Sequence, residues 1–200
     1  MKKWAIILFL VIPSSIMGVW LYLEIPFVSR DAVHSATAAL KRHEGKELQK
    51  GTCIIVDYSR PSHTKRLAVM DLETGTLGGF SRVAHGRNSG VVFAGRFSNQ
   101  EGSLQSSTGL FLVGDAFDGT HGPSLRLTGL EPGRNDHALK RGIIVHSAPY
   151  VSLKSMVLNW RSGFRLGRSQ GCFALSHKAY NRLMGQLVRP AYVYAYAGEP

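Results

Sequence analysis

The chain has 200 residues, enough for one ordinary domain with its own core, and its 44% hydrophobic and 18% charged content excludes a disordered chain or a coiled coil. Two cysteines, Cys53 and Cys172, are too few for a disulfide framework or a cysteine-built zinc site. Lys and Arg number 24 against 13 Asp and Glu, and the resulting net charge of +11 suits a polyanionic partner: nucleic acid, anionic lipid or an acidic wall polymer.

Met1-Lys2-Lys3 precedes Trp4 to Leu23, a run of 20 residues without a charge. A helix of about 20 residues spans a bilayer core. Lysines before the run and Glu24 after it favour an orientation with the N-terminus inside and the remainder outside. Residues 1–23 therefore read as a membrane anchor or a signal peptide, and on either reading the rest of the chain is exported. Export makes nucleic acid a poor partner, and the sequence lacks the aromatic-basic interleaving that reads single strands. Scattered cations such as Lys41-Arg42, Lys65-Arg66 and Lys140-Arg141 read individually as a solvated face. Collectively they suit anionic wall polymer or a phospholipid surface.

Residues 24–50 read as a linker with a short helix, capped by Asp31 or Ser35 and lined on one side by Ala32, Ala36, Ala39 and Leu40. From Thr52 the texture changes to short β runs separated by turn residues, and 51–200 reads as one domain. The predicted strands are 52–58, 66–72, 77–84, 109–114, 124–130, 142–147, 171–175 and 191–197, with Glu73-Thr74-Gly75 as a hairpin turn. The last of them, AYVYAYA, alternates throughout and is expected to close the sheet. Ser176 is the expected N-cap of a helix with Ala179, Leu183, Leu187 and Val188 on its apolar side. One or two helical turns are expected within 151–160. The predicted class is mainly β, a β-rich α+β fold with antiparallel pairing and a few short helices.

Two residues carry the chemistry. Cys172 lies in Gly167-Arg168-Ser169-Gln170-Gly171-Cys172, a turn of small residues that leaves a thiol reachable. Amides of Gly171 and Cys172 can serve as oxyanion donors, and Arg168 can hold a thiolate or a carboxylate. Gly142 to Ser147 is an apolar strand that delivers His146 at its end, where rigid scaffolds present catalytic groups. A cysteine nucleophile needs a base or an ion-pair partner, and histidine suits both roles near neutral pH. The two are 26 residues apart, so only folding can unite them. On residue types alone, a buried inert Cys172 and a strand-end His146 with structural bonds remain the alternative. Metal chemistry is disfavoured, since no H-x-H or H-E-x-x-H spacing occurs. Cys53, in TCIIVDY, reads as an inert core residue.

Val145-His146-Ser147-Ala148-Pro149-Tyr150 followed by Arg168-Ser169-Gln170-Gly171-Cys172 resembles the HxA…[ST]xGC signature of L,D-transpeptidase catalytic domains of the YkuD type. Further blocks resemble one murein L,D-transpeptidase branch: 57–62, 66–69, 83–90, 97–99, 102–103, 106–107, 121–122, 124–127, 129–131 and 135–136. The resemblance covers about residues 52–197. It departs at Phe173, where the branch has proline, and at Gln170, where the wider family often has histidine.

The resemblance implies an L,D-transpeptidase-like mixed β-sandwich acting on peptidoglycan stem peptides without a cofactor. Cys172 is the implied nucleophile and His146 the base, with the Ser147 carbonyl orienting the imidazole and the Gly171 amide in the oxyanion hole. Arg168, Ser169, His121 and His85 are the implied substrate-binding residues. His121 and His85 can equally be structural loop histidines. The acceptor is an amine in a transpeptidase and water in an L,D-carboxypeptidase or endopeptidase. A wall-binding module without catalysis is the third alternative. Retention of Cys172, His146 and Arg168 together argues against it.

Overall fold

The computed structural model describes residues 28–44 and 50–198. The expected membrane segment, 1–23, lies outside the described residues. No helix among the described residues is long and apolar enough to cross a membrane.

Eight strands form one continuous sheet: β1 (Thr52–Asp57), β2 (Leu67–Asp71), β3 (Leu77–Ser81), β4 (Gly109–Gly119), β5 (Gly122–Gly129), β6 (Ile144–Ser147), β7 (Phe173–Leu175) and β8 (Ala191–Tyr196). Their order is β3-β2-β1-β8-β4-β5-β6-β7. Pairing is antiparallel except for β1 with β8 and β6 with β7. The expected sandwich is thus one sheet, curled round one buried cluster, with a second on its other face. Val69 near one end of the order and Leu175 at the other belong to the same buried cluster.

Expected to close the sheet, β8 instead runs through its middle. Its alternation is real, but both faces are covered. Val193 and Ala195 face the core, while Tyr192, Tyr194 and Tyr196 pack with Ala32, Ala36, Ala39 and Leu40. These belong to α1 (Arg30–Glu44), four turns long rather than short. Its cap is Ser29, ahead of the expected Asp31 or Ser35: the Ala32 amide donates to Ser29 Oγ at 3.2 Å. The Ser29 amide in turn donates to the buried Asp57 carboxylate at 2.8 Å, fastening α1 to the end of β1. Cys53, fully buried under α1, has its thiol pushed up to about 12 by burial, and is inert.

The parallel β6–β7 pair explains the long spacing between the two reactive residues. Parallel neighbours need a crossover of a dozen or more residues. Here it runs from Ala148 to Gly171 and contains α2 (Leu153–Leu158), capped by Ser152, and a 3-10 turn at Trp160–Ser162. The helix expected after Ser176 is α3 (His177–Gln186); the Ala179 amide donates to Ser176 Oγ at 3.2 Å, and Tyr180 and Leu183 face the core. Phe173, the departure from proline, is a core residue of β7 and meets Phe111 edge-on at 5.6 Å.

A second buried network supports the site from below. Arg66 is fully buried, and its guanidinium donates to Arg60 O at 2.8 Å, to Val83 O at 3.0 Å and to His85 Nδ1 at 2.9 Å. It lies 4.9 Å from the Tyr58 ring centroid, and burial lowers its pKa to about 10 against the pull of Tyr58 and Asp57. Arg66→Met strands these acceptors and leaves the buried Asp57 without that charge. We expect a loss of about 3–5 kcal/mol in denaturant unfolding. A loss under about 1 kcal/mol would show that the network is readily rehydrated.

Candidate active site

The register of β6 and β7 sets the site. Val145 pairs with Phe173 and His146 with Ala174, so Cys172 enters β7 just alongside Ile144. Cys172 Sγ lies 3.6 Å from Gly142 O. His146 is buried, and its Nδ1 is 2.9 Å from Ser147 O. A carbonyl only accepts, so Nδ1 carries the proton and Nε2 keeps its lone pair. Both residues line one cavity of about 490 Å³. The lining also includes Arg87, His121, Arg141, Tyr150, Arg168 and Gln170 and, among the described residues, no carboxylate side chain.

Burial disfavours the charged form of both Cys172 and His146. Burial pushes the Cys172 thiol up, opposed by the Ile144 amide, the Arg141 guanidinium and its own amide. Burial lowers the His146 imidazole, opposed by the bond to Ser147 O and reinforced by His121. Burial thus works against a preformed thiolate–imidazolium pair.

Of the expected site residues, the structure gathers Cys172, His146, Arg168, Ser169 and His121 around the cavity. Ser147 stays beneath His146 through its carbonyl. His121, on the β4–β5 turn, stacks its ring on His146 at 4.3 Å between centroids and 21° between planes. His85 is not at the cavity. It is buried between Arg66 and Gly90 O, and burial together with Arg66 drives its pKa down to about 3. It is a structural histidine, neutral throughout the working range.

Two hydrogen-bond patterns bear on Gly171 and Arg168. The Gly171 amide donates to Ser169 Oγ at 3.1 Å, and Ser169 Oγ donates to Cys172 O at 2.7 Å. These bonds hold the turn and occupy the Gly171 amide, leaving the Cys172 amide beside its own thiol. Gly171 itself is required at φ 125°, where a Cβ would fall 2.8 Å from Gln105 O. Arg168 Nη1 donates to Arg87 O at 2.9 Å and to Gly90 O at 3.2 Å, tying the 87–90 loop to the cavity edge, while the residue also lines the cavity.

The cation that acts on Cys172 is Arg141, which the sequence reads as half of a solvated Lys-Arg pair. It is half-buried and donates to Gln105 O at 2.6 Å, Ser103 Oγ at 3.1 Å, Ser98 O and Ser107 Oγ. All four partners are neutral, so its charge stays available to Cys172.

Arg168→Lys cannot reproduce the planar fork. We expect the melting temperature to fall by about 2–4 °C, together with activity. Lost activity at an unchanged melting temperature would mark Arg168 as a substrate anchor instead.

A strand-end histidine held through its neighbour's carbonyl shares one cavity with a cysteine at the start of the neighbouring parallel strand. The model of the L,D-transpeptidase catalytic domain matches residues 25–196. The chain belongs to that family. Among solved structures, the helical cell shape determining protein Pgp2 from Campylobacter jejuni superposes with a TM-score of 0.51 at 18% identity, over 86% of this chain and 58% of that one. An L,D-transpeptidase from Mycobacterium smegmatis gives 0.43 at 14% identity over 73% and 58% of the two chains. One from Stackebrandtia nassauensis gives 0.44 at 14% identity over 78% and 60%. At such identities the likeness to Pgp2 is one of fold, and this L,D-transpeptidase-family chain spans less than two thirds of each of these three structures. No curated protein sequence matches it.

Proposed function

We propose that this chain is an exported peptidoglycan L,D-transpeptidase with Cys172 as nucleophile. The carrying observation is the convergence of Cys172 and the free Nε2 of His146 on one cavity. The donor is a stem peptide ending in D-alanine. His146 Nε2 takes the thiol proton as Sγ attacks the carbonyl on the L-centre of the third stem residue. The Cys172 amide and the Arg141 charge face the developing anions. Collapse of the tetrahedral intermediate breaks the bond to D-alanine, whose nitrogen takes the proton back from His146. A thioester remains on Cys172. The amine of a second stem then gives a proton to His146 and displaces the sulfur, forming a 3→3 cross-link and restoring the thiol.

A cavity lined by Arg87, Arg141 and Arg168, without a carboxylate among the described residues, suits the acidic stem. Export of the domain follows from the wall substrate together with the uncharged run Trp4 to Leu23. Mass spectrometry of the protein incubated with purified tetrapeptide stems tests the reading. We expect an acyl adduct on Cys172 and a cross-linked dimer. Release of free tripeptide alone would assign water as the acceptor. No adduct would reject acyl transfer.

A further inference from the structure

The crossover between the two reactive residues carries an apolar surface that acyl transfer does not use. Met156 is the buried residue of α2; Val157 and Leu158 face out, Leu158 at 73% exposure. Trp160 and Phe164 follow at 58% and 47%. Phe164 holds a φ of 55°, a left-handed conformation that bulky side chains rarely adopt. Its exposed ring is thus presented at a conformational cost. The loop carrying the exposed Phe93 lies against the same element. The Ser62 amide donates to Val92 O at 2.8 Å, Ser62 Oγ accepts from the Leu166 amide at 3.4 Å, and a Cβ on Gly163 would sit 2.9 Å from Val92 Cγ2.

The stretches that carry the exposed apolar residues of this face bring charge of one sign: no Asp or Glu occurs between Asp136 and Glu199, or between Glu73 and Glu101. Lys154 and Arg161 are exposed beside the apolar residues, and the Arg161 guanidinium lies 5.2 Å from the Trp160 ring centroid. A second copy of the chain is a poor occupant, since a two-fold contact would oppose cation to cation. A hydrated sugar polymer offers no apolar medium for Leu158. An anionic lipid surface offers both an acyl boundary for Leu158, Trp160 and Phe164 and phosphates for the cations.

We propose that this face docks on an anionic membrane surface, with Trp160 at the headgroup–acyl boundary. The inference does not depend on the acyl-transfer reading. Because Arg168 bonds the neighbouring 87–90 loop, docking holds the cavity edge beside the membrane.

The test uses the full chain with Trp4→Phe and Trp20→Phe, which leaves Trp160 as the sole tryptophan. Vesicles contain brominated acyl chains with either phosphatidylglycerol or phosphatidylcholine headgroups. The readout is Trp160 quenching and emission shift, which report this face whatever residues 1–23 do. We expect a blue shift and quenching with phosphatidylglycerol, much less with phosphatidylcholine, and weakening in high salt. Leu158→Asp with Phe164→Asp should abolish the response at an unchanged melting temperature. Arg161→Gln should weaken it by about five-fold. An unshifted, unquenched Trp160 in anionic vesicles overturns the proposal. So does a response to soluble wall fragments or to protein concentration instead, which assigns the face to polymer or to self-association.

Discussion

Replacing Cys172 by Ser is expected to lower acyl-enzyme formation by more than about 10⁴-fold while leaving the melting temperature unchanged. Serine nearly matches the thiol in volume, and the Sγ contact with Gly142 O at 3.6 Å is too weak to stabilise the fold appreciably. What changes is acidity. Burial already raises the Cys172 thiol, and a hydroxyl in its place is far less acidic than any thiol. His146 would then face a proton that it cannot remove at a useful rate. Intact-mass analysis with stem peptide checks this directly: the wild type gains an acyl adduct and the variant does not. Cys53→Ala supplies the contrast. That thiol is fully buried, so adduct formation and alkylation stoichiometry should not change. Turnover surviving in Cys172→Ser would remove the nucleophile assignment.

The fold was legible where local chemistry decides and obscure where distant segments do. Ser176 caps α3 as its sequence predicts, because the cap bond spans three residues. The strands came from alternation, a property of each segment alone. Alternation in β8 could not show that its tyrosine face is roofed by α1, about 155 residues earlier in the chain. Without that roof an edge strand is the natural reading; with it β8 is central. The α1 cap moved to Ser29 for a similar reason, since the Ser29 amide is held by Asp57.

The site divides in the same way. Cys172 and His146 stood out because each sits at a strand end in a distinctive local pattern. Arg141 did not, because a Lys-Arg pair looks solvated until the 98–107 loop wraps it with four neutral oxygens. Arg168 looked like an anchor for a carboxylate. Its partners are main-chain carbonyls about 80 residues away, which no local pattern displays. His85, beside glycine in a family-like block, is buried by Arg66, itself hidden in a basic pair.

Replacing His146 by Ala is expected to cost about 10²–10⁴-fold in kcat/KM at pH 7, and the pH profile identifies the cause. In the wild type, burial lowers the imidazole below its ordinary 6.5, so the competent neutral form persists as pH falls through that value. The acid limb of kcat/KM should therefore lie below pH 6.5. His121 contributes to that lowering from its stacked position. Substituting His121→Asn should move the acid limb upward, because imidazolium at His146 is then less disfavoured. The His146→Ala variant has no base, and its rate should follow thiol ionisation. Burial raises the Cys172 thiol above 9.0, so the variant's rate should climb steadily with pH and level off only above that value, where the thiol is ionised without a base. A flat loss across all pH values, with no alkaline recovery, would mean that His146 shapes the cavity without accepting the thiol proton. An acid limb unmoved by His121→Asn would mean that the stacked ring packs against the base without acting on its charge.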